Sequence, residues 1–135
     1  MNPIAVLLFA LICYAVAAPV HASDWKEVQG SSDGRRALID LARITQDGPY
    51  KKAWMVSEWP MDQTIQALKY RSVLQLDLYD CRTAKIATRS MHLYSNAGAS
   101  GKLIKAVEVE DSRLKWMEIP PESGLDAAYK IVCNR

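Results

Sequence analysis

The sequence predicts an α+β domain that is mainly β: a six-stranded antiparallel sheet with a C-terminal helix tied to it by a disulfide. Three observations carry this expectation. Apolar residues recur with period two along most of the chain, in runs cut by turn clusters rich in Gly, Asn, Asp and Pro. A helical period occurs once, after Pro120-Pro121. An uncharged apolar leader precedes a region that holds two cysteines, Cys81 and Cys133.

Residues 3–20 carry no charge, and Val20-His21-Ala22 puts small or compact residues at the positions a signal peptidase reads. Cleavage between Ala22 and Ser23 is therefore expected, removing 1–22 as a signal peptide and leaving 23–135 as a single domain. The competing reading is an uncleaved anchor, because 18 uncharged residues are near the minimum for a membrane span. Pro19 argues for the signal peptide by interrupting the helix ahead of the cut. Ile12 stands before Cys13 where lipid attachment needs a small residue, so no lipid anchor is expected. Export places the protein in the periplasm, in the medium or on the cell surface, with no stable membrane insertion after cleavage. In those oxidising compartments Cys81 and Cys133 pair by default.

The first strand, 25–29, alternates from Trp25 and stops at Gly30-Ser31-Ser32-Asp33-Gly34. The second, 36–44, is closed by Gln46-Asp47-Gly48-Pro49. The third, 50–59, ends at Pro60, and the polar stretch 60–68 reads as a long connection. Residues 69–80 form the clearest strand, with Leu74, Leu76 and Leu78 on one face and Val73, Gln75, Asp77 and Tyr79 on the other. Residues 82–94 return as its hairpin partner. After the cluster Asn96-Ala97-Gly98-Ala99-Ser100-Gly101, residues 103–110 supply the sixth strand. Short turns with no intervening helix make an antiparallel meander the simplest topology.

Ser123 is a helix cap with Asp126 three residues on, and Leu125, Ala128, Tyr129 and Val132 then share one helical face. That face needs the sheet to cover it. A Cys81–Cys133 bond would staple the two together. Strict alternation, however, puts Cys81 on the face opposite the three leucines. Either a bulge near Asp80 re-aims it, or both faces of the sheet are partly covered.

The net charge of +2 lacks the basic stripe that nucleic-acid binding requires, so no nucleic-acid partner is expected. No catalytic set is visible. His92 is the one histidine left after cleavage, Asp77 and Asp80 point to opposite faces, and there is no Cys-x-x-Cys motif. Neither a cofactor nor a metal is expected. Trp25, Trp54, Trp59 and Trp116 are first of all core and edge-filling mass, with a ligand groove as the functional alternative. The candidate binding residues are basic: Lys69 and Arg71 share one strand face, Lys85 and Arg89 share a face of the next, and a suitable register would gather them opposite an acidic partner.

An ordered set of landmarks spans this region: Trp25, Ile39-Asp40, Lys52-Ala53-Trp54, Tyr70-Arg71-Ser72, Asp80-Cys81, Trp116, Ile119-Pro120-Pro121, Ser123 and Cys133. In that order it resembles the surface-adhesin protein E-like domain of bacterial envelopes. The resemblance implies a six-stranded antiparallel sheet with a disulfide-tied C-terminal helix. It implies as well a non-enzymatic exported binding module whose partner is an extracellular or envelope protein; a homodimer stays open. The alternative is a periplasmic protein with a structural or assembly role, or one that binds a small apolar ligand between helix and sheet.

Overall fold

The computed structural model describes residues 22–28 and 33–135. The expected signal peptide up to residue 21, and residues 29–32 of the first strand end and turn cluster, lie outside the described residues. The elements in chain order are β1 Trp25–Val28, β2 Arg36–Asp40, a 3-10 turn Leu41–Arg43, β3 Thr45–Asp47, β4 Tyr50–Ile65, β5 Leu68–Asp80, β6 Lys85–Asn96, β7 Ser100–Glu108, a 3-10 turn Asp111–Arg113, β8 Met117–Glu118 and α1 Gly124–Cys133. All strand pairs are antiparallel, and the main path runs β1-β2-β4-β5-β6-β7. The expected meander of six is this path. Two short strands extend it, β3 beside β4 and β8 beside β6.

Two departures from the alternation have local causes. Residues 36–44 are not one strand, because the Asp40 carboxylate accepts the Ala42 N–H at 3.1 Å and turns the chain into the 3-10 segment. Pro60 does not end β4. It falls where the β4–β5 register shifts between Glu58 and Gln63, so its missing N–H interrupts no ladder bond. The expected connection 60–68 is thus the end of a long hairpin, closed by Gln66 and Ala67 at φ 49° and 64°. Two positive φ values in succession are the geometry of a two-residue hairpin turn, which normally selects Asn-Gly.

Helix α1 starts where Ser123 Oγ accepts the Asp126 N–H at 3.1 Å, and Lys130 lies 2.9 Å from Asp126 one turn on. Ala128 and Val132 are fully buried against Val28, Ala37, Ile39, Ala53, Met55, Tyr79, Ile86 and Ile119. This helix-covered side of β5 is the one carrying Val73, Gln75, Asp77 and Tyr79, and Cys81 continues it. No re-aiming bulge is needed at Asp80. Cys81 and Cys133 are bonded with Cα atoms 5.6 Å apart, and Tyr129 Oη donates to the Cys81 carbonyl at 2.8 Å. Across a separation of 52 residues the chain-entropy argument gives this cross-link about 4 kcal/mol at most.

Leu74, Leu76 and Leu78 face the other way, with Val56 opposite Leu74 and Trp54 opposite Leu76. Leu78 and Val56 are buried there as well, so the sheet is covered on both sides. Covering on one side comes from the helix. On the other it comes partly from the β6–β7 turn, where Gly98 N–H donates to Glu58 at 2.8 Å and Ala99 N–H to Ser72 Oγ at 2.9 Å.

Candidate binding surfaces

The four basic residues do not form one patch. Alternation carries Lys69 and Arg71 with Val73 and Tyr79, on the helix-covered side of β5. Lys85 pairs with Asp80 and therefore lies on the leucine side. Arg89 sits in a β6 bulge, since Asp77 pairs with Thr88 and Leu76 with Ser90. Two of the charges are also neutralised locally: Arg71 lies 3.2 Å from Asp62, and Arg89 reaches Asp47 at 2.7 Å and Asp111 at 2.5 Å. Burial disfavours the Arg89 charge, but the two carboxylates outweigh it and hold the guanidinium more firmly protonated. The expectation of one basic face is corrected on both grounds.

The tryptophans are likewise apart. Trp25 stacks under the Arg43 guanidinium at 5.9 Å, Trp59 meets the edge of Tyr70 at 5.9 Å, and Trp116 lies 4.6 Å from Tyr50. None of the four is fully buried, and Trp54 lies within the central strand β4, opposite Leu76. His92 lies 2.9 Å from Glu108 in β7. Among the described residues, no three His, Cys, Asp or Glu side chains come together as metal ligands would.

Two of the concave surfaces lie on opposite sides of the sheet. On the leucine side, a groove of about 240 Å³ is lined by Trp25, Leu38, Arg43, Val56, Glu58, Leu74, Gly98 and Ala99. Its charged walls are already engaged, Glu58 by Arg36 at 2.8 Å and Arg43 by the buried Asp40. Burial alone would raise the Asp40 carboxyl, but the Asp24 N–H, the Arg43 guanidinium and the Ala42 N–H outweigh it and hold it below its ordinary value.

On the helix side, a cleft of about 410 Å³ lies between Leu125 of α1 and the sheet residues Gln75, Ile86 and Thr88. Its outer wall is the segment 109–117, which contributes Val109, Arg113, Lys115 and Met117. This strap is pinned at both ends: Val109 N–H donates to the Arg89 carbonyl at 2.8 Å, Arg89 grips Asp111, and Met117 pairs with Ile86. Leu114 and Trp116, between the cleft residues, border the Asp47–Arg89–Tyr50 side instead. Nothing in the sequence reading singled out this strap. The usable signal was the alternation of Arg113, Lys115 and Met117 with Leu114 and Trp116 just ahead of Pro120-Pro121.

Behind the cleft floor lies Asp77, fully buried, whose carboxylate accepts from Gln75 Nε2 at 2.8 Å and Thr88 Oγ1 at 2.7 Å. Burial pushes its carboxyl up to about 6 against the opposing pull of those two hydrogen bonds. The neighbouring Tyr79 hydroxyl is buried without a hydrogen-bond partner, and burial together with the Asp77 charge pushes the phenol up further still.

Of the exposed large apolar side chains, Trp25 and Met117 line the two concavities and the others lie elsewhere. Met61, Ile65 and Leu68 mark the β4–β5 hairpin end, while Leu103 and Val107, 49% and 37% exposed, lie on β7. β7 ends the strand path, so its outer edge has no strand neighbour among the described residues. No helix among the described residues is long and apolar enough to cross a membrane.

The sequence profile of the surface-adhesin protein E family matches residues 25–134. Solved structures of Haemophilus influenzae protein E share the fold. Its crystal form II is 15% identical with a TM-score of 0.61, covering 87% of this chain and 94% of that one. A second structure is 15% identical at 0.60, covering 87% and 90%, and the selenomethionine form is 15% identical at 0.60, covering 82% and 85%. At this identity the likeness is one of fold. No curated protein matches the chain.

Proposed function

Because the chain belongs to the surface-adhesin protein E family, we propose that it works as an exported, adhesin-like binding module without catalytic activity that contacts an extracellular or envelope protein. The family match carries this reading, since it spans nearly all of the described domain. The open β7 edge supports it. Leu103 and Val107 offer apolar anchors beside unpaired backbone groups, the combination by which an extended partner segment adds to a sheet. Export through cleavage between Ala22 and Ser23 belongs to the same proposal. An intact mass beginning at Ser23 supports it, and a retained Met1 in the membrane fraction opposes it.

The test has two arms. Surface labelling of intact cells should modify the protein, and the purified protein should bind immobilised extracellular-matrix proteins. Leu103→Glu/Val107→Glu should weaken that binding at least tenfold with unchanged far-UV dichroism. Strict periplasmic retention with no matrix binding favours the second reading, a periplasmic protein with a structural or assembly role or one that holds a small apolar ligand. One observation speaks for the small ligand: the cleft between α1 and the sheet.

A further inference from the structure

We propose that the cleft between α1 and the sheet binds a single-chain amphipathic anion, an aliphatic carboxylate with its head at Arg113 and Lys115 and its tail against Ile86, Val109, Met117 and Leu125. The inference rests on the small-ligand reading and is independent of where the protein resides. At about 410 Å³ the cleft is within the range of small-molecule sites. Its walls are apolar, and its charge is of one sign. Among the described residues neither Arg113 nor Lys115 has an ion-pair partner, and Asp111, the acid nearest in the strap, is taken by Arg89.

The strap fixes this arrangement. It is pinned through Val109, Asp111 and Met117 and passes through the 3-10 turn Asp111–Arg113 on its way to β8, and the two cations line the cleft together with Met117. The floor sets the ligand's polarity. Asp77 lies behind Gln75 and Thr88, so an anionic head is repelled from the bottom and attracted to the rim. The apolar part of such a ligand then occupies the space between helix and sheet.

Calorimetry on the purified exported protein tests this with dodecanoate, dodecanol and dodecyltrimethylammonium as probes. Dodecanoate should bind one to one, with dodecanol and the cation at least tenfold weaker. Shortening the chain from twelve to eight carbons should lower affinity about fourfold per methylene that leaves the cleft. Arg113→Ala/Lys115→Ala should remove the preference for the anion while leaving dodecanol binding unchanged. Met117→Trp fills the cleft from a residue that is 54% exposed, so the fold should persist while every probe is lost. Equal binding of all three probes, blocked by Met117→Trp, would overturn the anion assignment yet keep the small-ligand reading. Absence of binding by any probe would overturn both. Co-sedimentation with phosphatidylglycerol vesicles that depends on Arg113 and Lys115 would assign the cations to a membrane headgroup and overturn the proposal.

Discussion

Asp77→Asn should make the protein more stable at neutral pH, by an amount that shrinks toward zero as pH falls below about 4. Asp77 is fully buried, and burial raises its carboxyl from 3.8 to about 6. A raised folded-state pKa means that folding favours the protonated acid. Stability from this group is therefore greatest below the unfolded value near 3.8 and falls as pH rises through the window from 3.8 to about 6. At 1.36 kcal/mol per pKa unit the ionised side chain costs about 3 kcal/mol at pH 7.5. Asparagine is isosteric with the protonated acid. Its carbonyl oxygen keeps the Thr88 hydroxyl as donor, and the Gln75 amide turns over to accept from Nδ2. Urea unfolding of both proteins from pH 4 to pH 7.5 gives the difference curve, in which every other titrating group cancels. The variant should gain about 0.5 kcal/mol at pH 4 and about 2 to 3 kcal/mol at pH 7.5, with the rise centred between pH 4 and 6. A flat difference curve, or a variant less stable at pH 7.5, would refute the reasoning. It would mean that the carboxylate has a cationic or solvent partner that lifts the cost of burial.

Replacing both Cys81 and Cys133 by serine should lower stability by 2 to 4 kcal/mol in denaturant titration while the far-UV strand signal persists, because the ladders do not depend on the bond. Ala67→Gly should raise stability by about 1 kcal/mol, since alanine at φ 64° bears a left-handed penalty that glycine does not; an unchanged melting curve would place the strain elsewhere. Arg89→Ala leaves Asp47 and Asp111 without their shared partner. It should cost about 1 to 2 kcal/mol and speed amide exchange selectively over 109–113, whereas uniform exchange would show that the strap is held by its β8 pairing alone.

The order of strands, the capped helix and the cysteine pair were legible because each depends on local chemistry. Period-two alternation marks 69–80, Ser123 satisfies the first turn of α1, and Cys81 and Cys133 are the two cysteines outside the apolar leader. What stayed open or failed depends on pairing. Of the two alternatives left for Cys81, the second holds: Leu74, Leu76 and Leu78 form one covered face of β5, and the helix covers the other, with Asp77 and Tyr79, where Cys81 and buried residues of β2 and β4 sit. Pro60 reads as a strand end until the register shift beside it is known. The basic residues separate because the Asp80–Lys85 pairing fixes Lys85 on the leucine side, a register that no window of sequence states. A ligand site between helix and sheet is the alternative reading of the sequence, but its lining was not legible there, because its walls come from β5, β6, the strap and α1, which only the fold brings together.

The disulfide also decides how the domain would carry a pulling force. Cys81 and Cys133 are 52 residues apart in sequence but their Cα atoms are 5.6 Å apart. Tension arriving through the backbone beyond α1 passes across the sulfurs to the end of β5 and bypasses everything between. That shields roughly 170 Å of contour length, at about 3.3 Å per residue, from extension. The backbone of the β5–β6 turn, β6, β7, the strap and α1 is then not extended. Extension is then confined to the chain ahead of Cys81, from β1 through β5.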